Sequence, residues 1–145
     1  GMSSDCSEVR DVLSSLAIKV RSCKEDMRAQ AVGNALYGLQ GMSSDCSEVR
    51  DVLSSLAIKV RSCNDDLSAQ EVGNALYGLQ GMSSDCSEVR DVLSSLAFKV
   101  RSCNEDLNAQ AVGNAFYGLQ AVSVEWLKVL TILSSLLMNV GVFIV

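Results

Sequence analysis

One 40-residue unit is written three times in this chain and then begun a fourth time. Gly1–Gln40, Gly41–Gln80 and Gly81–Gln120 align without a gap and differ at few positions, among them Ile18/Ile58/Phe98, Met27/Leu67/Leu107 and Arg28/Ser68/Asn108. At a period in this range each unit is a supersecondary element that cannot bury its apolar face alone. Neighbouring units therefore stack, and the core runs continuously through them. The expectation is a single domain over residues 1–145, closed by a degenerate apolar half-unit at 121–145. Such a stack presents a laterally repeating surface, which suits binding better than catalysis.

Within a unit the apolar spacing is helical. Val9, Val12, Leu13, Leu16 and Val20 fall on one stripe of a helix over Asp5–Ser22. Asp5 with Glu8 has capping-box spacing at its start. Val32, Ala35, Leu36 and Leu39 repeat the logic over Arg28–Gln40. Ser68 with Glu71 is a full capping box, and Asn108 is a good N-cap. Gly41 and Gly81 stand where a helix C-cap needs positive φ. Proline is absent, so nothing breaks the helices. The predicted fold is therefore all-α: an α-solenoid of stacked helical hairpins, seven helices in a right-handed superhelix. Gly33 and Gly38 each cost roughly 1 kcal/mol within the second helix relative to alanine. Close approach of a neighbouring unit is the expected compensation. Ile18, Ile58 and Phe98 lie just off the main stripe and are expected to widen it.

Chemistry is thin. The net charge of −5 works against non-specific attraction to nucleic acid, although it leaves room for a local basic stripe such as Arg10/Arg50/Arg90. Histidine is absent, which removes the commonest general base. No nucleophile–base pair, phosphate loop or carboxylate cluster stands out, so the reading is not an enzyme and no cofactor. Six cysteines lack any CxxC spacing, and Cys6 and Cys23 lie roughly 25 Å apart on one helix. That is too far for a disulfide, and zinc lacks its ligands. Free, partly buried thiols in a reducing intracellular compartment follow.

The candidate binding residues lie opposite the second helix's apolar stripe. At 100° per residue Gln30, Asn34 and Tyr37 cluster there, recurring as Gln70, Asn74, Tyr77 and as Gln110, Asn114, Tyr117. Stacking turns them into two amide ladders and a phenol ladder. These can grip peptide groups, base edges or a protein partner. The structural alternative is a hydrogen-bonded ladder, with Asn34 holding Asn74 in register.

The last segment keeps the repeat pattern but loses its charges. Ile132–Val140 mirrors Val92–Val100, while Arg90 becomes Leu130, Asp91 becomes Thr131 and Lys99 becomes Asn139. Val129–Val145 carries no charge over 17 residues, the lower limit for a membrane span. Trp126, Leu130, Leu133, Leu137 and Phe143 are expected to form a contact surface, docked on the third unit or on a partner, with a membrane anchor as the alternative.

The stretch Ala-Val-Gly-Asn-Ala-Leu-Tyr-Gly-Leu, from Ala31 to Leu39, resembles the Ala-Asn-x-Leu-Trp-Ala-Leu pattern of octotricopeptide and heptatricopeptide organellar repeats. Asn34, Leu36, Tyr37 and Leu39 fill the matching places, with Tyr where Trp is frequent. The resemblance implies single-stranded RNA binding in a chloroplast or mitochondrion. This chain departs from those families in being acidic and in repeating its reading positions unchanged. A base-by-base code needs them to vary. The favoured reading is a protein-binding scaffold or linker subunit within a larger assembly, membrane-protein assemblies included. RNA is the alternative ligand.

Overall fold

The computed structural model describes residues 5–120, 122 and 126–140, the last with side chains from 130 onward. These residues form seven helices and no strand: α1 Ser7–Ser22, α2 Ala29–Tyr37, α3 Ser47–Ser62, α4 Ala69–Tyr77, α5 Ser87–Ser102, α6 Ala109–Gln120 and α7 Trp126–Asn139. Each helix packs on its counterpart one repeat away. Thus α1, α3, α5 and α7 lie side by side in one row and α2, α4 and α6 in another. A single apolar cluster joins the rows, built from Leu13, Leu36, Leu53, Leu76, Leu93, Leu119, Ile132 and their neighbours.

Burial depends on position in the row. Val12 is 57% exposed on α1, whereas its counterpart Val52 is 6% exposed because α1 covers it. Covering a Val or Leu of this kind contributes about 1.5–3 kcal/mol. The stacking edge, not the hairpin interior, is thus where each added unit gains most.

Polar groups fasten the stack at the helix ends. Buried Lys59 reaches back to the Cys23 and Glu25 carbonyls at the end of α1, and Lys99 does the same to Cys63 and Asp65 at the end of α3. Each ammonium satisfies carbonyls that have no partner within their own helix, at the end where the helix dipole favours a cation. In the fourth unit Asn139 takes over and donates to the Val100 carbonyl at 2.9 Å. Acidic residues do the reverse at the second-helix starts. Asp65 accepts from the Ala29 amide at 3.1 Å and Glu105 from the Ala69 amide at 2.9 Å. Ser55 and Ser95 donate to the Ala17 and Ala57 carbonyls across the same seam.

Several local expectations change. The α1 N-cap is Cys6, not Asp5, and no side chain caps it. Glu8 instead accepts from the Cys6 thiol and the Ser7 hydroxyl. The Ser68–Glu71 capping box forms in full, and Asn108 Oδ1 accepts from the Ala111 amide at 2.8 Å. α2 and α4 stop at Tyr37 and Tyr77, short of Gln40 and Gln80. Gly41 has the positive φ expected of it, at 111°, but Gly81 does not. A Cβ on Gly81 would lie 2.1 Å from the Met42 carbonyl oxygen, so close approach is what requires glycine there. Close approach also explains Gly78 and Gly118, whose added Cβ would fall 1.8 Å from the Leu36 and Leu76 carbonyl oxygens.

α7 docks on α5 as the alignment requires, burying Ile132, Ser135 and Leu136, the counterparts of Val92, Ser95 and Leu96. The contact residues expected from sequence fare differently. Leu133 and Leu137 are half-buried and Leu130 is exposed. The side chains of Trp126 and Phe143 lie outside the described residues. Among the described residues no helix is long and apolar enough to cross a membrane.

Candidate functional site

The second-row helices carry their buried stripe through Val32/Leu36, Val72/Leu76 and Ala111/Ala115. In α2 and α4 this leaves Gln30, Asn34 and Tyr37, and Gln70, Asn74 and Tyr77, on the opposite side; in α6, where Val112 is half-buried and Phe116 exposed, the buried Ala111 and Ala115 sit beside Gln110 and Asn114. The structure brings all nine together on one solvent face. The three glutamines, Asn34, Tyr37 and Tyr117 are exposed, while Asn74, Asn114 and Tyr77 are half-buried.

The tyrosines are the cross-unit contact. Tyr37 stacks on Tyr77 with ring centroids 5.6 Å apart and planes at 25°, and Tyr77 stacks on Tyr117 at 5.2 Å and 20°. Pairs of this geometry contribute about 0.5–1.5 kcal/mol beyond their area. The alternative of a bond between Asn34 and Asn74 is not what forms: none of the six Gln and Asn ladder side chains hydrogen-bonds to another described residue. The register function falls to the tyrosine rings, and the amides keep both donors and acceptors available. Gln70, Asn74, Asn108, Gln110, Ala111 and Asn114 line a polar depression of about 200 Å³ between α4 and α6.

The arginines do not form the phosphate-facing stripe considered from sequence. Arg10 makes a two-point pair with Glu48 at 3.1 and 3.2 Å. Arg50 and Arg90 turn back onto the carbonyls of Ser44/Asp45 and Ser84/Asp85. The Cys46 thiol, followed by Arg10, holds the Glu48 carboxyl down at about 2. The Ala29 amide and Arg28 hold that of Asp65 below its ordinary value. Of the six thiols, Cys63 and Cys103 are buried, Cys46 and Cys86 half-buried, and Cys6 and Cys23 exposed. Burial pushes the Cys103 thiol up, away from the reactive thiolate.

Two groups of residues escaped the sequence reading. Lys59 and Lys99 were not singled out from sequence, yet they are buried inter-unit ties. Ile18, Ile58 and Phe98 looked like core, yet they are 69%, 53% and 63% exposed. The signal was present in the second case. These positions continue the spacing Ser7, Asp11, Ser14, Ile18, Arg21, the exposed stripe of α1.

Comparison with protein-family models, with curated proteins and with solved structures finds no match.

Proposed function

We propose that this chain is a right-handed α-solenoid segment that serves as a non-enzymatic scaffold or linker subunit. In this reading it holds an extended segment of a partner protein along its Gln/Asn/Tyr face within a larger assembly. The observation that carries the reading is the division of labour on that face. Stacked tyrosines fix the spacing, and the unbridged amides can each offer a donor and an acceptor to a peptide group. Units about 10 Å apart match one three-residue turn of a polyproline-II segment, which rises about 3.1 Å per residue and turns every third peptide group to the same side. An identical amide pair would then meet every third peptide group whatever its side chain, which suits invariant ladders.

Single-stranded RNA is the second reading, favoured by the tyrosine rings as stacking platforms. The engagement of Arg10, Arg50 and Arg90 with protein groups weighs against it. The test is affinity capture on the wild-type chain and on the triple variant Tyr37→Ala, Tyr77→Ala, Tyr117→Ala. Nuclease-resistant protein retained by the first and lost by the second supports the scaffold. RNA retention whose log affinity falls steeply with log salt supports the alternative.

A further inference from the structure

The other solvent face, on the first-row helices, carries a pattern that the partner-binding ladders do not use. In each unit the outward stripe reads Ser, Asp, Ser, an apolar residue and Arg, exposed throughout except at half-buried Ser54. The rows are Asp11/Asp51/Asp91, Ser14/Ser54/Ser94, Ile18/Ile58/Phe98 and Arg21/Arg61/Arg101. The apolar row continues into α7 as Met138, 75% exposed and forty positions after Phe98. Four side chains of three kinds keep one property, apolarity, at a position that solvent alone would fill with polar groups. Single exposed apolar residues need no explanation; an aligned column of four does.

The geometry points to a second copy of this chain as the occupant of this face, docked about a two-fold axis parallel to the rows. The charge pattern argues for it. Asp11 and Arg21 lie symmetrically about residue 16, and so do Ser14 and Ile18. Turning a copy about that axis runs its helices antiparallel to the first. Every Asp row then faces an Arg row, and every apolar row faces a serine row. Ile18, Ile58, Phe98 and Met138 of one copy enter the space left by the small serines of the other, beside that copy's own apolar column. The charged rows flank them outside, in the ring arrangement that excludes water from a contact centre. Beside Phe98 the receiving space exists: a depression of about 230 Å³ lined by Ser94, Ala97, Phe98, Arg101 and Thr131.

The area fits. Three helices of 16 residues and one of 14 are about 21–24 Å long, and side by side at 8–10 Å they offer about 800 Å² per copy, the size of a standard specific interface. A lipid surface fits less well. The Arg row would attract anionic head groups, but an equal Asp row repels them.

Sedimentation velocity of the full chain tests the proposal, with circular dichroism to verify that each variant is folded. The wild type is expected to dimerise with a Kd of about 1–10 µM. Asp11→Arg, Asp51→Arg and Asp91→Arg together place arginine against arginine and should weaken the dimer about a hundredfold or more. Adding Arg21→Asp, Arg61→Asp and Arg101→Asp restores complementarity with the signs exchanged, and should bring Kd back to within about tenfold of wild type. Lys24→Gln, in the exposed turn after α1 and off this stripe, should leave the dimer unchanged. A wild type that stays monomeric at about 200 µM overturns the proposal. So does a dimer indifferent to the triple charge change, or one that the sixfold exchange fails to rescue.

Discussion

Glu48 accepts at once from the Cys46 thiol, the Ser47 hydroxyl and Arg10 of the preceding unit. Its carboxyl titrates at about 2, below the ordinary 4.5. A depressed folded-state value means that the ionised form stabilises the fold. The contribution is whole above about pH 4.5 and fades as pH falls towards 2. Glu48→Gln is therefore expected to lower the urea midpoint at pH 6 and to make no difference at about pH 2. A gap between the two proteins that persists unchanged at low pH would show that the carboxylate charge is not what Arg10 and Cys46 recognise. Glycines give a second residue-scale contrast inside one helix. Gly118→Ala drives a Cβ towards the Leu76 carbonyl, whereas Gly113→Ala meets nothing within 4 Å. The first should cost about 1–3 kcal/mol or more. The second should stabilise by about 0.5–1 kcal/mol, since alanine outranks glycine in a helix. Thermal melts of the two single variants read both signs.

At the scale of the element, the helix periods were legible because apolar spacing is a local property: seven helices were expected and seven are described. The ends were less legible. Asp5–Glu8 has capping-box spacing, but the thiol and hydroxyl of Cys6 and Ser7 occupy Glu8 instead. The ends are set by the neighbouring unit, and one unit's sequence does not display what its neighbour supplies. The lysines make this measurable with an internal control. Lys19, Lys59 and Lys99 occupy one repeat position, but among the described residues only the last two tie a preceding helix end. Lys59→Ala or Lys99→Ala should each cost about 1–2 kcal/mol, because helix-end carbonyls lose a charged donor, with the larger loss at Lys99, whose Cys63 partner is buried. Lys19→Ala, on an exposed side chain, should change stability by no more than about 0.5 kcal/mol. Denaturant midpoints of the three variants, at equal m, decide it. Equal losses at all three positions would mean that helix propensity, not the tie between units, sets the lysine's worth.

For the whole molecule, the repeat was the most readable feature, and it located the Gln, Asn and Tyr columns on one face before any coordinate did. Their inner chemistry was not readable. Sequence placed an amide and a phenol at fixed helical angles, but which of them bridges adjacent units depends on side-chain reach across the seam, and the rings bridge. Ile18, Ile58 and Phe98 were misplaced because a helical wheel gives angles without saying how wide an arc the neighbours cover. The proposed stacked architecture makes one further demand at this scale. If each unit's stability rests on its own packing and on the seams beside it, a further copy of Gly41–Gln80 inserted after Gln80 adds one complete seam. That seam brings a buried Val and Leu pair, a lysine tie, an acidic helix cap and one more tyrosine in the stack. The extended chain is expected to unfold at a higher temperature and with a larger m-value than the original, with helix content rising in proportion. The same insertion shortened by two residues rotates the next helix by about 200°, turning its apolar stripe to solvent, and should melt at a lower temperature than the original chain. If both insertions behave alike, the units do not stack in register and the shared-seam account of this fold is wrong.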